Sequence, residues 1–448
     1  LRTSIVTASA PSGMSVVAVK IDNGRVPAVD IGAAETLANG REGPDLPLCS
    51  RCERRPCGAL HNAPTSAAVI LDVLSEFSPF EGRVWLNCAH QAPLPNVARA
   101  EAEEAVAWKT APWQLTTERF SGVPRRLKQA LARLIAASAD DVILANGASY
   151  GLHLIANGFR WRQGDEVLVM RGDFPSDILP WLGLERRGVT VRQLVPRGRV
   201  LDCDEVESAI ASNTRLLCLT WVHSLSGWAI DLEAIGSLCR ARGITFVVNA
   251  SQALGVRAID VRKAPVDVLI SAGWKWLLGP YATGFCWVRP ELLAHFDYNQ
   301  SYWLAMLSSD DLGRVDLDLT LRHDPGAARY DVFATANFFN FKPLAASVEY
   351  LLERGVEVVR RHDDALVQRL IDGLDRRRYR LTSPEAGSRR STLVFVEPTE
   401  RERTEEIQRT LQAERVHVAF RAGALRFSPH LYNTPGDIDR ALAALHRA

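Results

Sequence analysis

The chain has 448 residues, 47% of them hydrophobic and 23% charged, with a formal net charge of +1 and a pI near 7.8. These values fit a globular protein with a sizeable core and room for two to four domains. No acidic or basic run is long enough to point to a polyanion, and no apolar stretch approaches the length of a transmembrane helix, so nucleic acid and membrane are poor first expectations.

Residues 1–6 lack a long apolar core, so no secretory signal is expected and the cytoplasm is the default location. Residues 1–75 show weak periodicity and many Gly and Pro breakers, and they read as an extension of doubtful order in which Met14 offers an alternative start. Within it, Cys49-x2-Cys52-x4-Cys57-x3-His61 has the spacing of a three-Cys, one-His zinc site. The surroundings are rich in Gly, Pro and Arg and hold no second knuckle, so a disordered extension is the preferred reading and no metal is assigned. The five remaining cysteines are scattered and read as reduced thiols of an intracellular protein.

From about residue 85 the texture changes. Helical patterns cover 97–108 and 124–137. Short apolar runs then alternate with helical patterns: strands at 142–144, 166–169, 189–194, 216–219, 245–248 and 268–270, with helices from about 149, 177, 202 and 231. Such alternation predicts βαβ units and a mainly parallel sheet, residues 76–330 forming one large domain. Beyond 330, helices at 343–354, 356–374 and 402–413, short strands near 392–396, 416 and 425, and a last helix after Thr434-Pro435-Gly436-Asp437 predict a smaller α+β domain, 331–448.

In parallel sheets ligands sit beyond the carboxyl ends of the strands, so the residues after each apolar run carry the chemistry. After the 142–145 run comes Asn146-Gly147-Ala148-Ser149, a helix start with free N–H groups and a hydroxyl, suited to a phosphate although Ser is also a plain N-cap. After 170 comes Asp173-Phe174-Pro175, an aromatic over the same crevice. After 248 come two amides, Asn249 and Gln252. After 270 comes Ser271-Ala272-Gly273-Trp274-Lys275-Trp276-Leu277-Leu278-Gly279-Pro280. Only six lysines occur in the chain: Lys20, Lys109, Lys128, Lys263, Lys275 and Lys342. Of these, Lys275 stands between two tryptophans, an apolar setting that lowers an amine pKa and favours Schiff-base chemistry. A surface lysine with its stem on Trp276 is the bland alternative. The phosphate cradle, aromatic and amides at successive strand ends tip the balance to a cofactor.

The run from Trp274 to Phe285 resembles the pyridoxal-phosphate (PLP) lysine motif of class V aminotransferases, a group that includes cysteine desulfurases, kynureninases and isopenicillin N epimerase-like enzymes. The resemblance extends over residues 82–448 through Leu86-Asn87, Gly147-Ala148-Ser149, the stretch 221–227, Asn249-Ala250-Ser251-Gln252 and the C-terminal signature 425–434, and its wording is nearest the isopenicillin N epimerase-like branch. It implies the PLP fold type I, with a mainly parallel seven-stranded sheet, and a Schiff base on Lys275, which then shuttles protons at the substrate Cα. It implies Ala148, Ser149 and Ser271 at the phosphate, Phe174 stacked on the pyridine ring, Gln252 on the phenolic oxygen and Ser224 near the cofactor. Arg426 would grip the substrate carboxylate through its planar fork, and Asn87 and His90 would line the substrate pocket. Thr283 and Asn337 would reach a neighbouring subunit's phosphate in a homodimer with shared active sites.

Two departures stand out. The family normally has Asp at position 249, whose charge keeps the pyridine nitrogen protonated; here it is Asn249, and a neutral amide cannot stabilise a pyridinium by charge. Carbanion formation at Cα is therefore expected to be harder. Residues 418–423, where desulfurases carry their persulfide-forming cysteine, contain none, which disfavours desulfurase activity. The sequence thus predicts a PLP enzyme acting at Cα or Cβ of an amino acid or amino-acid conjugate, as an epimerase, a β-eliminating C–S lyase or an aminotransferase. The alternative is a binding or scaffold protein on the same fold, its catalysis reduced by Asn249.

Overall fold

The structure, a computed structural model, describes residues 7–9, 15–17, 73–300, 302–307, 313–316 and 326–448. The Cys49, Cys52, Cys57 and His61 cluster lies outside the described residues. The chain divides into two units, residues 1–62 and 63–448. Of the first, only the antiparallel pair Thr7–Ser9 and Ser15–Val17 is described.

Seven strands make the central sheet: β1 (Val142–Ala145), β2 (Glu166–Met170), β3 (Thr190–Leu194), β4 (Thr214–Thr220), β5 (Thr245–Asn249), β6 (Val268–Ala272) and β7 (Gly284–Val288). Their order is β1-β7-β6-β5-β4-β2-β3. All run parallel except β7, which is antiparallel to both of its neighbours. Alternate residues of each strand enter different cores. Leu144, Leu168, Leu217, Phe246 and Leu269 face one core, while Ile143, Val167, Cys218, Val247 and Ile270 face the other. Burial on both faces explains why these strands read as apolar runs, except the edge strand β3, which has no fully buried residue and carries Arg192 and Gln193. The alternation located six of the strands; β7 had no helix before it to mark it.

The helices that support the sheet are α1 (Asn96–Thr110), α2 (Thr117–Ile135), α3 (Ala148–Gly158), α4 (Leu232–Ala241) and α5 (Phe338–Arg354). Two begin earlier than expected. Pro124 and Pro343 read as first-turn prolines but lie inside α2 and α5. Thr116 caps α2 by accepting from the Arg119 N–H, so the helix starts seven residues before the proline. Helix α5 packs on α1 and α2, and its buried Lys342 pairs with Glu101 and Glu104 of α1. The helix expected from about 177 is instead a series of short turns, Pro175–Asp177, Leu179–Leu182 and Gly183–Arg187.

After α6 (Val356–Gly373), a four-stranded antiparallel sheet forms from β8 (Tyr379–Leu381), β9 (Val394–Pro398), β10 (Ala419–Arg421) and β11 (Ala424–Phe427), in the order β8-β9-β11-β10. It shares a core with α6, α7 (Thr404–Ala413) and α8 (Pro435–Arg447). Strands β8 and β10 were not expected, being three residues each. Helix α8 starts at Pro435, within the 434–437 stretch it was expected to follow, with a capping box between Thr434 and Asp437. Val416–His417 pairs with Val84–Trp85, and Ser428 bridges to Asn87, which brings β11 against the segment that leads into Ala89 and His90.

Candidate active site

The turns after β1, β2, β4, β5 and β6 converge with the β10–β11 hairpin on a cavity of about 270 Å³. At one end, α3 opens with Ala148 and Ser149 in the cavity wall. Its N-cap is Gly147, which supplies no side-chain hydrogen bond. The free N–H groups of the first turn and the Ser149 hydroxyl therefore remain available to an anion.

Lys275 follows β6 in a loop that returns to the sheet as β7. Gly273 N–H donates to Thr283 O at 2.9 Å, Gly279 N–H to Gly273 O at 2.8 Å and Leu278 N–H to Lys275 O at 3.0 Å. Ser347 of α5 ties down the Leu278 carbonyl at 2.8 Å. Leu278 and Ala282 adopt left-handed backbone angles, φ 56° and 62°, a conformation that persists in non-glycine residues only when the surroundings enforce it. The Lys275 amine faces the cavity 5.6 Å from the centre of the Phe174 ring. Burial, then the positive charge of Arg426, lowers its pKa to about 8.

Gln252 is fixed from both ends: its Oε1 accepts from Trp276 Nε1 at 2.9 Å and its Nε2 donates to Ala89 O at 3.1 Å. The second N–H of that amide is left to donate into the cavity. Arg426 is 3% exposed, yet among the described residues it has no acidic partner. It donates once, to Ser224 O at 3.3 Å, and its Nε has no partner. Burial pushes its pKa down to about 10, helped by the charge of Arg421. A buried guanidinium without an anion is an incomplete pair. His90, at the mouth, is held below the usual imidazole range by burial and then by Arg421, Arg426 and Lys275, and so is neutral near pH 7.

The structure thus brings Ala148, Ser149, Phe174, Ser224, Asn249, Gln252, Lys275, Arg426 and His90 to one cavity. Ser271, Thr283, Asn337 and Asn87 lie off its wall. The Ser271 hydroxyl donates to Ala272 O at 3.1 Å and that of Thr283 to Pro280 O at 2.6 Å. Asn337 caps α5 without a side-chain hydrogen bond. Asn87 is buried with its Oδ1 unpartnered. Sequence reasoning missed Arg421, Ser251, Thr220, Trp274 and Tyr281 in the wall. It also missed Asp177, which is fully buried behind Asn249. No local pattern in the sequence singles it out, because its partner Asn249 is 72 residues away.

An amine of depressed pKa, an open helix start, a ring-sized aromatic and a free buried guanidinium around one cavity fit PLP and an amino-acid carboxylate. Set at the carboxyl ends of this sheet, they define a PLP enzyme of fold type I. The chain belongs to the aminotransferase class-V family, whose model matches residues 113–440. It is 28% identical over 315 residues to a "Probable cysteine desulfurase" of Methanothermobacter thermautotrophicus, covering 68% of this chain and 77% of that one. Among solved structures it resembles a C-DES variant with glycine covalently linked to the PLP cofactor, with TM-score 0.75 and 18% identity over 83% of this chain and 98% of that one. It also resembles the cystine C-S lyase C-DES in complex with its reaction product cysteine persulfide, with TM-score 0.73 and 20% identity over 82% and 99% of the two chains. The protein is a PLP-dependent enzyme of this family. Among the described residues, no helix is long and apolar enough to cross a membrane.

Proposed function

We propose that this enzyme is a C–S lyase that eliminates a sulfur leaving group from Cβ of a cysteine-type amino acid and releases the sulfur species to solution. The observation that carries the reading is the pair formed by Arg426, a buried guanidinium awaiting an anion, and Lys275, a buried amine, across one small cavity. When bound, PLP supplies an aldehyde that captures amines and a ring that accepts electrons from bonds at Cα.

The side chains do the rest. Arg426 holds the substrate carboxylate through two N–H groups, which fixes Cα and its proton relative to Lys275. The α3 start and Ser149 hold the phosphate, Phe174 covers the ring face, and Gln252 donates to the phenolic oxygen. Lys275, with a pKa near 8, is free base often enough at neutral pH to take the Cα proton. The electron pair forms the Cα=Cβ bond, the Cβ–S bond breaks and the sulfur departs as thiolate. The enamine product, once free, hydrolyses to a 2-oxo acid and ammonia.

Release to solution rather than transfer to an enzyme thiol is supported by the cysteines. None occurs at 418–423, and among the described residues Cys88, which interacts by charge with Lys275, is sealed in the core with its thiol pushed well up by burial and then by Asp363. An enzyme is favoured over a scaffold despite the amide at 249, because Lys275, Arg426 and the start of α3 line one cavity. Residues 76–330 would seat the cofactor while 331–448 supply Arg426 and close over it, each beneath its own sheet. Asn337, off the wall of its own cavity, is read as reaching the phosphate of a second copy in a homodimer; Thr283, fully buried with its hydroxyl donated to Pro280 O, is not placed to do so.

The test is product analysis with the holoenzyme and cystine or a cysteine S-conjugate. A 2-oxo acid, ammonia and a thiol or persulfide in equal amounts are expected. Alanine as the carbon product would replace this reading with desulfuration, and conversion only in the presence of a 2-oxo acid acceptor would replace it with amino transfer.

A further inference from the structure

Asp177 is buried without any ion-pair partner among the described residues, and its surroundings are well defined. The Nδ2 of Asn249 donates to its two carboxylate oxygens, at 2.9 and 3.1 Å. Ser176 is a second donor, and the charged or titratable groups around it are Asp173, Lys275 and the Cys218 thiol. Asp173 is already satisfied by the Thr220 hydroxyl and N–H, at 2.7 and 3.1 Å, and by the Phe174 N–H at 2.8 Å. Burial and the neighbouring Asp173 push the Asp177 carboxyl well above the usual carboxylate range. Such a group keeps its charge only when a cation comes close.

Asn249 stands between this carboxyl and the cavity. It lines the wall, whereas Asp177 is 0% exposed. Its orientation is dictated by both neighbours: Nδ2 must face the carboxylate, and Oδ1 accepts the Ser251 N–H at 3.0 Å. A flipped amide would set oxygen against oxygen and N–H against N–H. Oδ1 has a second lone pair, and it is the acceptor that Asn249 can present to the cofactor.

We propose that Asp177 supplies the negative charge that keeps the ring nitrogen of PLP protonated, acting through the amide of Asn249, so that the acid of this site lies one hydrogen bond behind the ring. This rests on the PLP reading of the cavity, with Asn249 at the position where the family's Asp meets the ring nitrogen. The ring N–H donates to Asn249 Oδ1, Asn249 Nδ2 donates to Asp177, and the amide relays polarisation without itself changing protonation. Coulomb attraction falls only inversely with distance, and the buried setting screens little of it. Asp177 is therefore a positioning residue for the ring's proton, and the expected weakness of an amide at 249 is compensated.

The test uses holoenzyme reconstituted with PLP carrying 15N in the ring, in wild type, Asp177→Asn, Asn249→Asp and the double variant. First, peptide mapping after borohydride reduction must place PLP on Lys275; failure there removes the site reading itself. Next, the 15N shift and the pH titration of the visible absorbance report ring protonation. The wild type is expected to show a protonated ring at pH 7. Asp177→Asn should lower the proton affinity of the ring nitrogen on the order of 10–100-fold, the range for loss of a nearby opposite charge.

The decisive comparison is the double-mutant cycle. In Asn249→Asp the acid touches the ring directly, so adding Asp177→Asn, which restores one acid and one amide in exchanged places, should leave the ring protonated. A role of Asp177 limited to shaping the Phe174 turn would make Asp177→Asn equally harmful in both backgrounds, and that result overturns the proposal. So does an unprotonated ring in the wild type with PLP on Lys275, or an unchanged 15N shift in Asp177→Asn.

Discussion

Arg426 reaches across to the chain at Ser224 and donates to its carbonyl at 3.3 Å, and this is the one hydrogen bond its guanidinium makes within the described structure. The carbonyl orients the fork without neutralising it. Replacing Arg426 with Lys keeps the charge but loses the second arm of a bidentate grip. Amino-acid binding should weaken by about 1.5–3 kcal/mol, the range for hydrogen bonds to charged groups. The spectrum of the loaded enzyme should stay as it is, because Arg426 acts on substrate. Titration of that spectrum with substrate measures the effect, and an unchanged affinity would move the carboxylate seat elsewhere.

The amine of Lys275 should govern cofactor uptake. Only its free base attacks an aldehyde, and its pKa is lowered to about 8. The rate at which unloaded enzyme takes up PLP should rise with pH and level off above about 8, where an ordinary lysine would still be climbing. The charge of Arg426 contributes to that lowering. Arg426→Gln removes a positive neighbour, so the midpoint should move to higher pH. A rapid-mixing absorbance series in both proteins checks the direction.

Trp276 is 1% exposed, and its indole N–H is the partner of Gln252 Oε1. Trp276→Phe leaves that oxygen buried and unpaired. Stability should fall by about 1–3 kcal/mol from the orphaned acceptor alone, with a further loss from the smaller ring. The freed amide no longer holds its N–H toward the cavity, so the visible band of the loaded enzyme should shift as well. Denaturation and absorbance spectra report the two effects separately.

All the residues assigned to the site belong to the unit 63–448. A chain lacking residues 1–62 should therefore load PLP in full and keep the wild-type spectrum. Metal analysis of full-length and shortened protein, with activity measured in parallel, tests the Cys49, Cys52, Cys57 and His61 cluster. Joint loss of stoichiometric zinc and activity on shortening would make the cluster a functional site.

The strand-end rule made much of the site legible. Lys275, Ser149, Phe174, Asn249 and Gln252 follow apolar runs buried on both faces, and such runs are conspicuous in a sequence. Arg426 was found by its motif rather than by periodicity, since β11 is only four residues long. The helices with an interior proline were cut short because Pro124 and Pro343 look like first-turn residues. The capping Thr116 and the packing of α5 on α1 and α2 outweigh the hydrogen bond that each proline removes. Asp177 stayed hidden for another reason. Its partner is 72 residues away, and nothing local distinguishes it from a polar residue of a surface turn.

The antiparallel course of β7 sets how the lysine loop can move. Residues 273–283 leave the sheet on β6 and re-enter it on the adjacent β7, so both ends of the loop are clamped in register, Ala272 opposite Gly284. Opening this segment requires unzipping two strands at the centre of the molecule rather than lifting a flap at its edge. The hydrogen-bonded amides of β6, β7, Gly273, Leu278 and Gly279 should accordingly exchange with solvent only through sub-global unfolding, more slowly than those of the β10–β11 hairpin across the cavity, while the exposed Tyr281 exchanges freely. Between a rigid floor bearing Lys275 and a more yielding wall bearing Arg421, entry and exit of ligands should be timed by the hairpin.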